Sequence, residues 1–327
     1  MKKPFLILIL IFQISSLLFA QQNSVLFSGD WYKLGVSNNG IYKLSYSDLQ
    51  DLNIQLSNLN INSIKIYGNG GGMLPHLNSD FRNDDIEENA VFVYDYNNNG
   101  YFNSDDYILF YGESPHEWVY NASTTLFDYK DHLYSDECYY FLTIDQSSAG
   151  KRINYKSQIT NYTKIINSFN DYKFHESNFE NLIESGRDWY GERFGILDNQ
   201  TFTFNFPDLV LNHPIHITTS VAARSLNSSF FTVNINSDFI SNINISNIVY
   251  DYATEYAKRI SNTQSYVSNS DQLDVELKYN YSENNAIGWL DRIELNARRS
   301  LRMNTSFLNF RDVESVGDSE LGKFEIK

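Results

Sequence analysis

Apolar and polar side chains alternate through much of the second half of this chain: Phe202, Phe204 and Phe206; Ile215, Ile217 and Val221; Phe231, Val233 and Ile235; Leu273, Val275, Leu277, Tyr279 and Tyr281; Trp289, Ile293 and Leu295. A period of two puts each set on one face of a β-strand and its polar neighbours on the other. These segments therefore predict antiparallel strands whose apolar faces pack as two sheets, a β-sandwich of jelly-roll type. In the first half, shorter apolar or aromatic runs bounded by Gly, Asn, Asp or Ser predict strands at Trp31–Leu34, Ile41–Leu44, Ile64–Tyr67, Ala90–Tyr94, Tyr107–Tyr111 and Cys138–Ile144. One short helix is predicted at 45–52, where Ser45 and Asp48 have the spacing of a capping box. The expected fold is mainly β, in two β-rich modules at 21–165 and 166–327, with the polar stretch Ser147–Asn167 as the linker.

Composition changes this picture at three points. Lys2 and Lys3, the apolar run Phe5–Phe12 and Ala20 before Gln21 read as a secretory signal peptide over residues 1–20, with Leu18 departing from the small residue usual three positions before cleavage. No cysteine follows the apolar run, which argues against a lipid anchor, and no later stretch is long and apolar enough to span a bilayer. The net charge is −15, and −17 once Lys2 and Lys3 leave with the leader, so nucleic acid and anionic lipid are disfavoured as partners. The single cysteine, Cys138, excludes an internal disulfide in a chain expected to be exported.

The sharpest chemical pattern is Asp95–Asp106. Asp95, Asn97, Asn99, Tyr101, Asn103 and Asp106 occupy positions one, three, five, seven, nine and twelve of a twelve-residue loop, with Gly100 at six. That is the spacing of a calcium loop, in which a hard cation collects six to eight oxygens and glycine permits the turn. Asp95, Asn97, Asn99 and Asp106 would supply side-chain oxygens, Tyr101 a backbone carbonyl and Asn103 a direct or water-bridged contact. The bland reading is a metal-free polar turn; in both readings the role is structural.

Other patterns yield less. The run Gly68–Gly72 lacks the Lys-Ser or Lys-Thr and the helix of a phosphate loop, and reads as a close backbone crossing. Cys138 lies in a strand-like apolar run with no catalytic histidine context, as a small buried hydrophobe does. His213 and His216 flank Pro214-Ile215 without cysteine or aspartate partners and read as strand-edge residues. The turn Ser185–Phe194 gathers two arginines, Trp189 and Tyr190, either as a clasp between modules or as a docking surface.

Five stretches, in order and spacing, resemble the N-terminal region of the PorU-type sortases of the type IX secretion system, a gingipain-related cysteine peptidase family of the Bacteroidetes. They are Trp31–Leu34 with Gly40–Lys43; Ile66–Pro75; Asn103–Gly112; Ser185–Phe194; and Gly288–Asn296. The resemblance implies an exported component at the outer membrane surface, whose partners are other type IX components and the secreted cargo from which the family removes C-terminal sorting signals. It implies a catalytic cysteine and histidine in a caspase-like domain expected beyond Lys327. No histidine here is followed by glycine, the context of the family's catalytic histidine, so no catalytic residue is carried over. The alternative expectation is a stand-alone secreted adhesin or carbohydrate-binding protein, stabilised by calcium and using exposed aromatic rings.

Overall fold

The computed structural model describes residues 24–184, 188–317 and 320–327, so the expected leader at 1–20 lies outside the described residues. The chain is mainly β and forms two compact units, one of residues 24–117 and 131–156, the other of 118–130 and 157–327.

The first unit contains β1 (Trp31–Val36), β2 (Gly40–Ser45), helix α1 (Tyr46–Asp51), β3 (Ile64–Tyr67), β4 (Glu88–Asn89), β5 (Phe92–Tyr94) and β6 (Tyr107–Gly112). The chain then departs into a hairpin of β7 (Glu117–Asn121) and β8 (Leu126–Lys130), which from Trp118 onward belongs to the second unit, and returns at Asp131 to supply β9 (Cys138–Ile144). Strands β1-β9-β3-β4 make one antiparallel sheet and β2-β6-β5 another. Their inward residues, among them Val36, Ile64, Ile66, Ile108, Phe110 and Leu142, share one core, to which α1 adds Leu49. Helix α1 starts where its sequence says it should: the Ser45 hydroxyl accepts from the Asp48 amide, and the Asp48 carboxylate accepts from the Ser45 amide at 2.7 Å. Asn53, at φ 58°, turns the chain away after it, a conformation that asparagine tolerates.

The second unit holds β10 (Lys164–Ile166), β11 (Ser168–Glu176), β12 (Arg193–Phe194), β13 (Asn199–Asn205), β14 (Ile215–Arg224), β15 (Ser229–Ile235), β16 (Asp238–Ile245), β17 (Lys258–Tyr266), β18 (Gln272–Asn280), β19 (Ile287–Ser300) and β20 (Gly322–Phe324). The sheet β11-β19-β14-β17 faces the sheet β13-β18-β15-β16, all neighbours antiparallel, and β12 adds to β19. This order alternates between the sheets as a jelly roll does. Phe202, Phe204, Phe231, Val233, Leu273, Val275 and Leu277 meet Ile215, Ile217, Val221, Ile293 and Leu295 in one core. Each fully buried side chain of this size stabilises the fold by about 1.5–3 kcal/mol.

One detail departs from the alternation expected at Trp289, Ile293 and Leu295. The register slips by one residue at Asp291, between the pairs Ser220–Arg292 and Val221–Leu290. A bulge leaves one residue unpaired and flips what precedes it. Leu290 therefore enters the sandwich core, while Trp289 turns to the opposite face and packs with Tyr190 and Ala222.

Among the described residues no helix is long and apolar enough to cross a membrane. Residues 153–162, within the expected linker, carry neither strand nor helix.

Candidate functional site

The 95–106 segment folds as a tight loop between β5 and β6. Asp95 closes its first half, its carboxylate accepting from the amides of Asn99 (3.2 Å) and Gly100 (2.8 Å). That curl needs residues with positive φ, supplied by Asn98 (51°) and Gly100 (78°). Asp106 closes the second half. It is 2% exposed, and its two oxygens accept from the amides of Tyr96 (2.8 Å) and Asn103 (2.6 Å). Phe102 between them enters the core of the first unit, and its amide donates to the Leu59 carbonyl at 2.8 Å, which anchors the loop.

The arrangement of oxygens tests whether a cation fits. The side-chain amide of Asn103 donates to the Tyr101 carbonyl at 2.7 Å and to Asn99 Oδ1 at 3.2 Å. Two oxygens of the expected ligand set are thus satisfied by the Asn103 amide, and a cation would have to displace those hydrogen bonds. Asp95 and Asp106 bring two negative charges, the number that balances a divalent ion. Asn97 is exposed at the loop surface. Among the described residues no group of three or more His, Cys, Asp or Glu side chains gathers as a metal site, so a calcium ion held by Asp95, Asn97, Asn99, Tyr101, Asn103 and Asp106 would rest largely on amide and backbone oxygens, and its contribution would be to fix the loop.

The remaining patterns resolve into packing. A side chain at Gly68 would lie 2.6 Å from the Tyr140 ring, and one at Gly71 would lie 1.9 Å from the Ser114 carbonyl oxygen, so this run lets the backbone press against the 113–117 segment and β9. The Gly71 amide donates to the Glu113 carboxylate at 3.1 Å, so an anion already occupies the place a phosphate would need. Cys138 is half-buried, and burial together with Glu113 and Glu117 pushes its thiol pKa up. A nucleophile needs the opposite shift. His216 sits in β14 with its pKa lowered by burial and by His213.

The turn expected to clasp the modules begins with Ser185, Gly186 and Arg187, which lie outside the described residues. Its described part is used within the second unit. Tyr190 packs on Trp289 and pairs by backbone with Glu180, whose carboxylate accepts from the Trp289 indole at 2.8 Å. Glu192 meets His175 at 2.8 Å, and Asp188 lies 3.5 Å from Arg259. The expected stacking of guanidinium groups on rings is thus replaced, among the described residues, by ring-on-ring and carboxylate contacts around the bulge of β19.

Sequence reasoning missed the β7–β8 hairpin and its seat. Trp118 stacks on Tyr172 with ring centroids 3.9 Å apart, and Tyr129 stacks on Phe174 at 3.7 Å. Asn296 of β19 grips the hairpin backbone in both directions, accepting from the Phe127 amide at 2.7 Å and donating to its carbonyl at 2.9 Å. Trp118, Tyr120, Phe127 and Tyr129, spaced by twos around the turn at Asn121–Thr125, are the signal that could have found it. Beside this seat runs an open groove of about 730 Å³ between the edge strands β11 and β13.

No protein-family profile matches the chain, and no curated protein matches it in sequence. Among solved structures it is similar to dimeric latent PorU from Porphyromonas gingivalis, with TM-score 0.72 and 22% identity, over 93% of this chain and 27% of that one. It is also aligned with a CBM36-1 domain of a multidomain xylanase from the hindgut metagenome of Trinervitermes trinervoides, at TM-score 0.27 and 9% identity over 38% of this chain and 96% of that one. A carbohydrate-binding module CBM36 in complex with calcium and xylotriose aligns at TM-score 0.23 and 12% identity, over 40% of this chain and 99% of that one. At TM-scores this low neither module bears on function. The chain spans about a quarter of the length of the PorU polypeptide, and over nearly all of its own length it has the fold of that portion.

Proposed function

We propose that this chain is a non-catalytic, N-terminal portion of a type IX secretion sortase-like cysteine endopeptidase, the kind that removes C-terminal sorting signals from secreted cargo at the cell surface. The observation that carries the reading is the correspondence of fold with PorU over 93% of the chain. The five resembling stretches add to it, because Asn103–Gly112 and Gly288–Asn296 are the segments that build the candidate metal loop with β6 and the bulged strand β19. The raised pKa of Cys138 supports a role without a nucleophile of its own. On this reading the chain is exported, sits at the outer membrane with other type IX components, and holds calcium in the 95–106 loop as a structural ion.

Incubation of the full chain with a substrate bearing a type IX sorting signal tests the reading. No cleavage is expected, with no difference between the native chain and Cys138→Ala; cleavage that depends on Cys138 would overturn it. Capture from outer-membrane extracts is expected to enrich type IX components. Saturable binding of a neutral glycan without such enrichment would instead favour a stand-alone binding module. For the loop, millimolar calcium is expected to raise the unfolding temperature, by the equivalent of about 2.7 kcal/mol at a hundredfold excess over Kd. The shift should vanish in Asp95→Asn, and an unchanged native midpoint in calcium and in chelator would remove the metal from the proposal.

A further inference from the structure

At one end of the sandwich, four segments of the second unit surround a groove of about 790 Å³. They are three connections, the β12–β13 turn, the β16–β17 connection and the β18–β19 turn, together with the end of β14. The groove carries two charged side chains, both arginines: Arg193 and Arg224. Among the described residues, neither has a carboxylate within the 4.0 Å of an ion pair, in a chain whose net charge is −15. Positive charge left uncompensated in one groove of an acidic protein is a feature to be explained.

The two guanidinium groups are held differently. That of Arg224 lies 4.6 Å from the Tyr250 ring centroid and 4.0 Å from that of Tyr256, and it donates through Nη1 to the Tyr256 carbonyl at 2.7 Å. Two rings and a carbonyl fix its plane and leave its other N–H groups to a ligand, so little ordering remains to be done on binding. Arg193 reaches into solvent at the rim. Beside them, aliphatic side chains stand out of the fold: Ile196 is 100% exposed and Leu197 67%.

These features select the ligand. Two arginines lining one groove, on the strands that flank β19, call for an anion, and a carboxylate matches the guanidinium fork. Bare isoleucine and leucine call for branched apolar side chains. A neutral sugar would leave both guanidinium groups without a counter-charge, and each tyrosine already has one face covered by Arg224. We propose that this groove binds a peptide segment of a partner protein in which a glutamate or aspartate lies beside aliphatic side chains. Arg193 and Arg224 take the carboxylate, while Ile196, Leu197 and the rims of Tyr250 and Tyr256 take the apolar neighbours. This goes beyond the family reading, and its outcome is independent of whether the chain serves a peptidase.

The test is calorimetric titration of the full chain with a short blocked peptide alternating leucine and glutamate, and with its glutamine counterpart. The glutamate peptide is expected to bind about tenfold or more tightly at low salt, with the advantage shrinking as salt rises. Arg193→Gln, at an exposed side chain that leaves the fold intact, should remove most of that advantage, and Arg224→Lys should weaken it. Equal affinity for the two peptides, absence of saturable binding, or native affinity in both variants would overturn the assignment. So would binding of an acidic oligosaccharide in place of the peptide. Self-association in sedimentation that Ile196→Asp abolishes would also overturn it, since a second copy would then be the occupant.

Discussion

Lys65 on β3 shows what a single buried charge demands of its neighbours. Its side chain is 3% exposed, and its ammonium donates to Asp145 Oδ2 at 2.6 Å and to Ser148 Oγ at 2.7 Å. The Lys65 hydrogen bond, followed by those from Ser147, holds the Asp145 carboxyl well below the usual carboxylate range. A depressed folded pKa contributes stability that is complete above the unfolded value near pH 4 and is lost as pH falls toward the folded one. Urea unfolding across pH should therefore show a decline below about pH 4 that is shallower in Asp145→Asn. At neutral pH that variant should lose about 2 kcal/mol, less than a fully buried pair would, because the Asp145 side chain is 39% exposed and water can replace part of what is removed. The pattern around residue 65 does not announce this pair, since a lysine inside Ile64–Tyr67 reads as the polar face of a strand, and its partner comes from the turn after β9.

At the scale of elements, alternation identified β13, β14, β15, β18 and β19 but not β16, whose Ile243 and Ile245 enter the same core, nor the edge strand β17. Strand β17, Lys258–Tyr266, runs Lys-Arg-Ile-Ser-Asn-Thr-Gln-Ser-Tyr at the edge of its sheet and has no apolar face to read. Strand β19 is legible as a strand, but the slip at Asp291 that redirects Trp289 is set by its pairing with β14. Gly288, one residue before that tryptophan, is required by packing: a Cβ there would fall 2.6 Å from Phe231 and 3.1 Å from Tyr279. Gly288→Ala should cost about 1–3 kcal/mol by overpacking, measured as a lower denaturation midpoint, with Gly317→Ala, where a Cβ meets nothing within 4 Å, as the neutral control. The Asn296 clamp makes a second prediction. Asn296→Ala removes both of its hydrogen bonds to the Phe127 backbone, so amide exchange at Phe127 should accelerate by about tenfold or more, equivalent to roughly 1.4 kcal/mol or more of local stability. Unchanged protection there would mean that the aromatic stacks alone seat the hairpin.

Among the described residues each unit has its own large core, one on Ile64, Ile108 and Leu142 and the other on Phe231, Val275 and Leu295, with a smaller cluster around Trp289 in the second unit. Each is large enough to unfold cooperatively, so calorimetry is expected to resolve two transitions. Trp118→Ala empties a stack that belongs to the second unit although its residue lies between strands of the first. It should lower the transition of the second unit by about 3 kcal/mol and leave the other in place; a shift of the first transition instead would show that the hairpin supports the wrong core. The polar loop was legible because all its oxygens lie within twelve consecutive residues, as were the capped helix and the inward faces of β13, β14, β15 and β18. Spacing along a chain fixes local geometry, and the period of two fixes which face is apolar. The arginine groove was not legible, because Arg193, Arg224 and Tyr256 come from β12, β14 and the β16–β17 connection and carry no local signature. The sequence by itself determined an acidic, disulfide-free, mainly β chain and the position of its polar loop. Only the tertiary structure decided which strands share a core, where β19 slips, and which of the described arginines stand without a carboxylate, because those depend on contacts between residues that the chain order keeps far apart.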